Sequence, residues 1–407
     1  MTHGATVAAN GKKVKGAAGG RGAGTKTLTP APRTLLAWYD AHRRIMPWRA
    51  LPGVAANPYR VWLSEVMLQQ TTVAAVVPYF QKFIQRWPTV RALAAAKLDD
   101  IMKMWAGLGY YRRAQSLYAC AQRIVADYGG EFPNSYDELL TLPGFGPYTA
   151  AAVTSIAFDR RANVVDGNVE RVMARIFAIR EPMPEAKPKL RTAAATLLPA
   201  SRHGDYAQAL MDLGATICTP RNPKCMICPW NKSCRARALG IQDQLPVRAK
   251  PKAKPVRRAI GFVLMTKQNE ILLRQRGKTG LLADMMEVPS SAWLEQPMPL
   301  LKQVQKQAPV AAKWKMLSGE VRHVFTHFEL QMQIAIAVVP KSTRVKPPLR
   351  WVPVRDLYDE ALPSVMRKLT DFALRSASIK TIVMPAKAGI HLSAKKMDPR
   401  IRGGDNP

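Results

Sequence analysis

The stretch LPGFGPYTA, residues 142–150, lies between two helical patterns, and its reading decides how the first half of the chain folds. Gly144 and Gly146 permit a tight turn with backbone N–H groups exposed, and Pro147 marks the first turn of the next helix. Exposed amides feeding a helix start can hold a phosphate without reading base sequence. The same pattern also suits an ordinary helical hairpin, so the flanking sequence has to separate the two readings.

Working outward, a helical pattern begins near Thr34, in TLLAWYDAHRRIMPWR, and runs with few strand signals to about Ala238. Asn57-Pro58 predicts a helix start ahead of YRVWLSEVMLQQ. Frequent Gly and Pro keep the helices short. Residues 30–244 are therefore expected to form an all-α domain, with room for two lobes. Residues 1–29 are Gly, Ala, Thr and Lys without hydrophobic period, and are expected to be a disordered basic arm. LPVRAKPKAKPVRRA, from residue 245, has six basic residues, three prolines and no acid. It predicts an extended, solvated linker over 245–258. Beyond it AIGFVLM, EILLRQR and LQMQIAIAVV read as strands, giving a separate α+β domain over 259–376. The tail, 377–407, has weak pattern, is expected to be mobile and is assigned no activity.

Lys and Arg total 61 against 28 Asp and Glu, a formal charge of +33. Such a field attracts polyanions, of which nucleic acid is the commonest large one. Charge alone leaves RNA or a membrane surface open. No apolar run reaches the roughly 18 residues of a membrane span, and no secretory h-region is present at the N-terminus. The expected compartment is the cytoplasm.

Cys218, Cys225, Cys228 and Cys234 fall within 17 residues, with Arg221, Lys224, Lys232, Arg235 and Arg237 around them. Disulfides are not the first reading in a cytoplasmic chain. Four thiolates in one loop can surround a single soft centre, either zinc or an iron–sulfur cluster, and spacing does not separate these. Such a centre supplies folding free energy where the helices have ended. Four protein ligands fill its coordination, so bond breaking is to be sought elsewhere. Cys120, in SLYACAQRIV, is expected to be a buried helix residue.

Two acids stand out. Asp166, in NVVDGNVERVMARIF, precedes a helical pattern and can cap it while facing a pocket. Glu65, in VWLSEVMLQQT, lies among Trp62, Leu63, Val66 and Leu68. An acid in apolar surroundings resists ionisation, although a surface ion pair is the plainer reading.

Taken together, the 218–234 cysteine spacing, LPGFGPYT, VVDGNVERV, WLSEVMLQQT and GLGYYRRA resemble the helix-hairpin-helix DNA glycosylases with a [4Fe-4S] cluster, and among them the adenine DNA glycosylases. The likeness covers about residues 31–376. It implies a monofunctional adenine-specific DNA N-glycosylase, a hydrolase of base excision repair. Its implied partner is double-stranded DNA with adenine opposite 8-oxoguanine or guanine, bound by a monomer in a bacterial, nucleoid-associated setting. It also favours iron–sulfur over zinc, with Cys218, Cys225, Cys228 and Cys234 as ligands.

The resemblance gives Glu65 the role of protonating the departing adenine and Asp166 that of stabilising the sugar cation or capturing it covalently. Asn168 becomes the positioning partner of Asp166, and Tyr148 an active-site phenol beside the acids. Gln70 and Tyr110 are expected to probe the opened base stack. Gln69, Thr71 and Leu108 join them in DNA and lesion recognition, and Gly144 and Gly146 grip the backbone. Arg112, Arg113 and the linker lysines are expected to add phosphate contacts. Relatives that also cut the strand carry lysine where Tyr148 stands, so efficient β-lyase cleavage is not expected.

The second domain resembles a Nudix fold. GLLADMMEVPSSAWLEQ, from Gly280, lacks the REUxEE part of the metal-binding Nudix box and leaves Glu287 nearly alone. Pyrophosphate hydrolysis is therefore not expected. Phe325, Thr326 and His327 resemble the family's FSH loop that contacts 8-oxoguanine, with Thr in place of Ser. Two rival readings remain at this point: a pyrimidine glycosylase with lyase activity, and a non-catalytic DNA-binding iron–sulfur protein.

Overall fold

The computed structural model describes residues 29–249 and 253–376. The basic arm up to residue 28, linker residues 250–252 and the tail from 377 lie outside the described residues.

Helices α1 (Pro32–His42), α2 (Pro58–Leu68), α3 (Val73–Arg86), α4 (Val90–Ala94), α5 (Leu98–Trp105), α6 (Arg112–Tyr128) and α7 (Tyr136–Leu140) come first. They are followed by α8 (Pro147–Phe158), α9 (Gly167–Ile176), α10 (Lys187–Ala195), α11 (His203–Thr216) and α12 (Arg235–Ala238). Local chemistry sets many of these starts. Asn57 caps α2 by accepting from the Arg60 N–H, with Pro58 in the first turn as the sequence predicts. Thr72, Thr89 and Ser135 cap α3, α4 and α7 in the same way. None of the described helices is long and apolar enough to cross a membrane.

These helices build two lobes. Trp62, Phe80, Phe83, Trp105 and Leu117, drawn from α2 to α6, fill one core. Val172, Tyr206, Leu210 and Trp230, from α9 onward, fill the other. α1 opens the domain but packs in the second lobe, where Leu35 and Tyr39 are buried against α11. The Trp230 indole N–H donates to the Ala31 carbonyl at 3.0 Å and so fastens the cysteine loop to the start of α1. α2 packs on α8, while α11 packs on both α8 and α9, so these helices meet where the lobes join.

The second half is a mixed sheet of β1 (Val256–Thr266), β2 (Glu270–Gln275), β3 (Met286–Glu287), β4 (Lys315–Met316), β5 (Val321–Val324), β6 (Glu329–Val339) and β7 (Leu349–Pro353). A short α13 (Leu301–Val304) and the final α14 (Ser364–Arg375) accompany it. The strand order is β3-β2-β1-β6-β4, with β7 also on β2 and β5 also on β6. β1 and β6 run parallel from Val256↔Glu329 to Thr266↔Val339, and the other pairs are antiparallel. β1 therefore begins three residues before the position read from the sequence. Its basic residues are no obstacle, because Arg257 reaches Glu295 and Arg258 reaches Gln331. From Ala259 onward β1 is buried on both faces, which is why its sequence shows a run and no alternation. Leu369 and Met366 of α14 belong to the core on one side, and Trp314 packs edge-on against Phe262 on the other.

Gly214 sets the spacing of α9 and α11. A Cβ there would lie 2.6 Å from the Asn168 Cβ and 3.2 Å from its Cα. Gly214→Ala is expected to force the helices apart at a cost of roughly 1–3 kcal/mol. Denaturant unfolding of the purified variant measures this, and an unchanged midpoint would contradict the packing described.

Candidate active site and its surroundings

Glu65 sits on the third turn of α2 and is only 6 % exposed. The Tyr148 hydroxyl donates to its Oε2 at 2.6 Å. Burial pushes the Glu65 carboxyl up to about 7. The charge of Asp166 adds to this, while Tyr148 and Arg49 act against it. Burial likewise lifts the Tyr148 phenol well above its ordinary value, so it stays a hydrogen-bond donor.

Asp166 does two jobs, as its sequence context allows. Its Oδ1 accepts from the Val169 N–H at 2.7 Å and caps α9. Its Oδ2 accepts from Asn168 Nδ2 at 2.9 Å. Asn168 is held in turn by Arg171, whose Nη2 donates to Asn168 Oδ1 at 2.8 Å. Arg171 also donates to the Gly214 carbonyl at 2.7 Å and to the Cys218 carbonyl at 2.7 Å. Glu65 with Tyr148, and Asp166 with Asn168, thus form two hydrogen-bonded pairs, near enough that the Asp166 charge acts on Glu65. A cavity of about 450 Å³ opens at Glu65, walled by Ser64, Leu68, Trp48, Arg49 and Gln208 among others. It is ample for a purine base.

The hairpin places Tyr148 in the first turn of α8. Gly144 has φ +77°, and a Cβ on it would meet the Ser116 Cβ at 2.7 Å, so glycine is required there twice over. Gly146 differs from expectation. Its backbone is extended, φ −105° and ψ 176°, with open space where a side chain would go. It is a helix cap, and the turn does not need glycine at that position.

Gln69, Gln70, Tyr110, Phe325, Thr326 and His327, far apart in sequence, line one cleft of about 670 Å³ between the helical domain and the sheet domain. Tyr110 Oη and Thr326 Oγ1 are 3.3 Å apart across it. Gln115 Nε2 ties the domains nearby, donating to Asp284 Oδ2 at 2.8 Å. Phe325 stacks on Phe328 with ring centres 4.7 Å apart, and His323 meets Phe325 edge-on at 4.7 Å. Gln69 Nε2 also donates to Thr149 Oγ1 at 3.1 Å, linking this cleft to α8.

One expectation is corrected. Arg113 is buried and is not a phosphate contact. Its Nη1 donates to the carbonyls of Val66, Met67 and Gln69 at 2.9, 2.8 and 2.5 Å. Its Nη2 donates to Thr71 Oγ1 and to the Leu108 and Gly109 carbonyls at 3.1–3.2 Å. Leu108 is buried, and its carbonyl is one of those that Arg113 holds. Lys254, a linker lysine, donates to the Phe325 carbonyl at 3.0 Å. Arg112 does stand exposed on the cleft. Gln70 and Tyr110, next to the carbonyls that Arg113 holds, both have left-handed backbones, φ 57° and 47°.

Cys218, Cys225, Cys228 and Cys234 line one small pocket with Val172, Leu213 and other apolar groups. Four thiols around one shared space suit a soft, thiolate-bound centre. Burial pushes the Cys228 thiol up to about 12, so its thiolate needs a strong cationic centre. Arg175 is buried beside the loop and donates to Cys218 Sγ at 3.3 Å and to the Thr219 carbonyl at 2.7 Å. The residues present fit an iron–sulfur cluster.

Sequence patterns did not single out Arg49, Arg171, Arg175, Gln208 or Asp212. Each is an isolated polar residue in a helix or loop, with no spacing motif, and tertiary packing sets its place.

Comparison with known proteins agrees with this architecture. Residues 63–199 match the HhH-GPD superfamily of base excision DNA repair proteins. Residues 218–234 match the iron-sulfur binding domain of endonuclease III, and residues 261–371 the NUDIX domain. Fold and site therefore define a helix-hairpin-helix base excision repair protein with an iron–sulfur loop and an appended NUDIX-type domain. Over 395 residues the chain is 35 % identical to the adenine DNA glycosylase of Homo sapiens, covering 83 % of this chain and 72 % of that one. It is 31 % identical to the Buchnera aphidicola (Schizaphis graminum) enzyme of that name, covering 85 % and 99 %. With that of Mycolicibacterium smegmatis it shares 45 % over 214 residues, 53 % of this chain and 72 % of that one. A solved thermostable thymine-DNA glycosylase is 32 % identical, covering 51 % of this chain and 95 % of its own, with TM-score 0.46. The chain belongs to the adenine DNA glycosylase family.

Arg113→Met is expected to leave several buried carbonyls without donors and to destabilise the fold by about 3 kcal/mol or more. Thermal unfolding checks this. A shift no larger than that of an Arg112→Met control would contradict the hub.

Proposed function

We propose that this chain hydrolyses the N-glycosidic bond of adenine mispaired with 8-oxoguanine or guanine in double-stranded DNA, leaving an abasic site. One observation carries the mechanism: a buried acid, hydrogen-bonded to a phenol, sits near a second carboxylate that is held by donors. A buried acid beside a hydrogen-bonded second acid can divide the work between a proton donor and a charge stabiliser.

The adenine anion is a poor leaving group, so the base is protonated as it departs. Glu65 gives its proton to the base, most simply at N7. The C1′–N9 bond breaks with its electron pair moving onto the base, and the deoxyribose gains oxocarbenium character. Asp166 stabilises that charge, either electrostatically or through a transient C1′–O bond. Water adds to C1′ and its proton returns to a carboxylate. Tyr148 and Asn168 hold the two acids in place. Cys218, Cys225, Cys228 and Cys234 would hold the iron–sulfur cluster, which crosslinks the loop when bound. Hydrolysis changes no oxidation state.

The base reaches this pocket only by leaving the helix, at a cost of a few kcal/mol that is smaller for a mispair. Gln70 and Tyr110 fit the task of filling the gap. Adenine is a normal base, so the opposite base has to license removal. The cleft bearing Phe325, Thr326 and His327 faces Tyr110 and supports reading the opposite base there. A hydroxyl at Thr326 can meet the N7 hydrogen or the O8 that distinguishes 8-oxoguanine. Tyr148 cannot form a Schiff base, which argues against the lyase reading. Glu287 is clamped by Arg274 and Arg276, with Arg274 Nε 2.7 Å from its Oε1, which argues against pyrophosphate hydrolysis in the second domain.

Glu65→Gln is expected to bind a mispaired duplex yet release adenine at least about a hundredfold more slowly. Single-turnover cleavage followed by alkali reads this out, and robust turnover would remove Glu65 from the acid's role. The same variant reports on stability. A folded-state value above the ordinary one means that the contribution of Glu65 is full below about pH 4.5 and is lost as pH rises through about 7. Glu65→Gln is therefore expected to gain roughly 3 kcal/mol over the native chain at pH 8, with little difference at pH 4.5. Denaturation at the two pH values tests the sign. The double variant Phe325→Ala/Thr326→Ala is expected to narrow the rate difference between A·8-oxoguanine and A·G duplexes by about tenfold. An unchanged ratio would reject that cleft as the reader of the opposite base.

A further inference from the structure

The wall of the base pocket contains a buried charge cluster that the proposed proton transfer does not use. Asp212, on α11, has no exposure and accepts four hydrogen bonds. Arg44 donates to it from its backbone N at 3.1 Å and from Nε at 2.6 Å. Arg49 donates from Nη1 at 2.7 Å and from Nη2 at 2.8 Å. Arg49 Nη1 also reaches the Arg44 carbonyl at 3.1 Å. Both arms of the Arg49 guanidinium are thus committed to α11, and the side chain is 7 % exposed. Yet Arg49 and Glu65 line the same pocket. A guanidinium free to turn toward a buried carboxyl forms a charge-assisted pair and ionises it, the reverse of what a proton donor needs.

We infer that Asp212 is a positioning residue for the acid: by binding both arms of Arg49 it keeps that cation from pairing with Glu65, so the acid retains its proton for the base. The inference rests on Glu65 as the proton donor. The charged and titratable groups that face Glu65 are Tyr148 from α8, Asp166 from the start of α9 and Arg49 from the α1–α2 loop. Arg44 and Asp212 stand behind Arg49. Farther along the pocket are Arg43, Asp159, Asp205 and Arg202, the last paired with Asp40 and Asp205. Burial and Asp166 raise the Glu65 carboxyl, and Arg49 is the cation that opposes them. Asp212 itself is penalised by burial, but the bonds from Arg49 and Arg44 more than offset this and hold its carboxyl below the ordinary range. Removing that charge leaves two uncompensated cations near the acid and frees one of them to move.

The test is the pH profile of single-turnover adenine release by the full chain on an A·8-oxoguanine duplex. The native rate is expected to fall as pH rises through about 7. Asp212→Asn is expected to move this alkaline limb down by about one pH unit, a tenfold loss at high pH against less than about threefold at low pH. Arg49→Gln is expected to move the limb upward. The double variant is expected to return it to the native position or above. A loss in Asp212→Asn that is uniform across pH overturns the inference. If Asp212→Asn does not fold, Arg49→Gln decides alone, and an unmoved limb in that variant overturns it too. Glu65→Gln, run alongside, separates the two levels. Turnover in that variant ends the reading of Glu65 as acid, whereas its loss beside an unmoved Asp212→Asn limb ends only the role of Asp212.

Discussion

Taking a carboxyl group out of water is the constraint on which the rest of this molecule turns. Glu65 lies among Trp62, Leu63 and Val66 at the seam of two lobes, where solvation cannot support its negative charge. The group therefore holds a proton near neutrality, and every neighbour has to be compatible with that state. Tyr148 supplies a neutral donor. Asp166 supplies the adjacent negative charge but takes its own hydrogen bonds from an N–H and an amide, away from Glu65. The two-lobed arrangement matters because neither lobe alone would enclose the acid.

Buried arginines do most of the joining. Arg113 gathers carbonyls from the end of α2 and the loop before α6, two segments about forty residues apart. Arg171 connects the helix start at Asp166 to α11 and to the backbone of Cys218. Arg175 braces the cysteine loop and the Leu245 carbonyl just before the sheet domain. A guanidinium suits this work because it is planar, stays charged and carries several donors, so one side chain can satisfy carbonyls that helix ends leave unpaired. Part of the chain's large positive charge is therefore internal scaffolding and does not face a polyanion.

Much of this was legible in the sequence, and the division is physical. Capping residues, Pro at helix starts and the change from helical to strand periodicity act within a few residues, so the helical half, the sheet half and the starts of α2, α8 and α9 could be read directly. Cys218 to Cys234 form a motif because their ligand spacing is itself local. Glu65 and Asp166 were visible as acids in unusual surroundings, and the Tyr148 bond to Glu65 follows from the hairpin. Arg113 was misread because an arginine beside an exposed one, Arg112, looks like surface, and only tertiary packing turns it inward. The start of β1 was placed late because its arginines look like linker until their partners across the sheet are known.

Glu287 shows what becomes of a carboxylate once its surroundings change. It is buried in β3, with Arg274 and Arg276 on its two oxygens, and it now serves the sheet as a crossbeam. A divalent cation entering there would have to displace two guanidinium groups already in place. Adding acids nearby would not suffice to create a cation site, because the crossbeam would first have to come down. In the appended domain this carboxylate is spent on bracing β2 against β3.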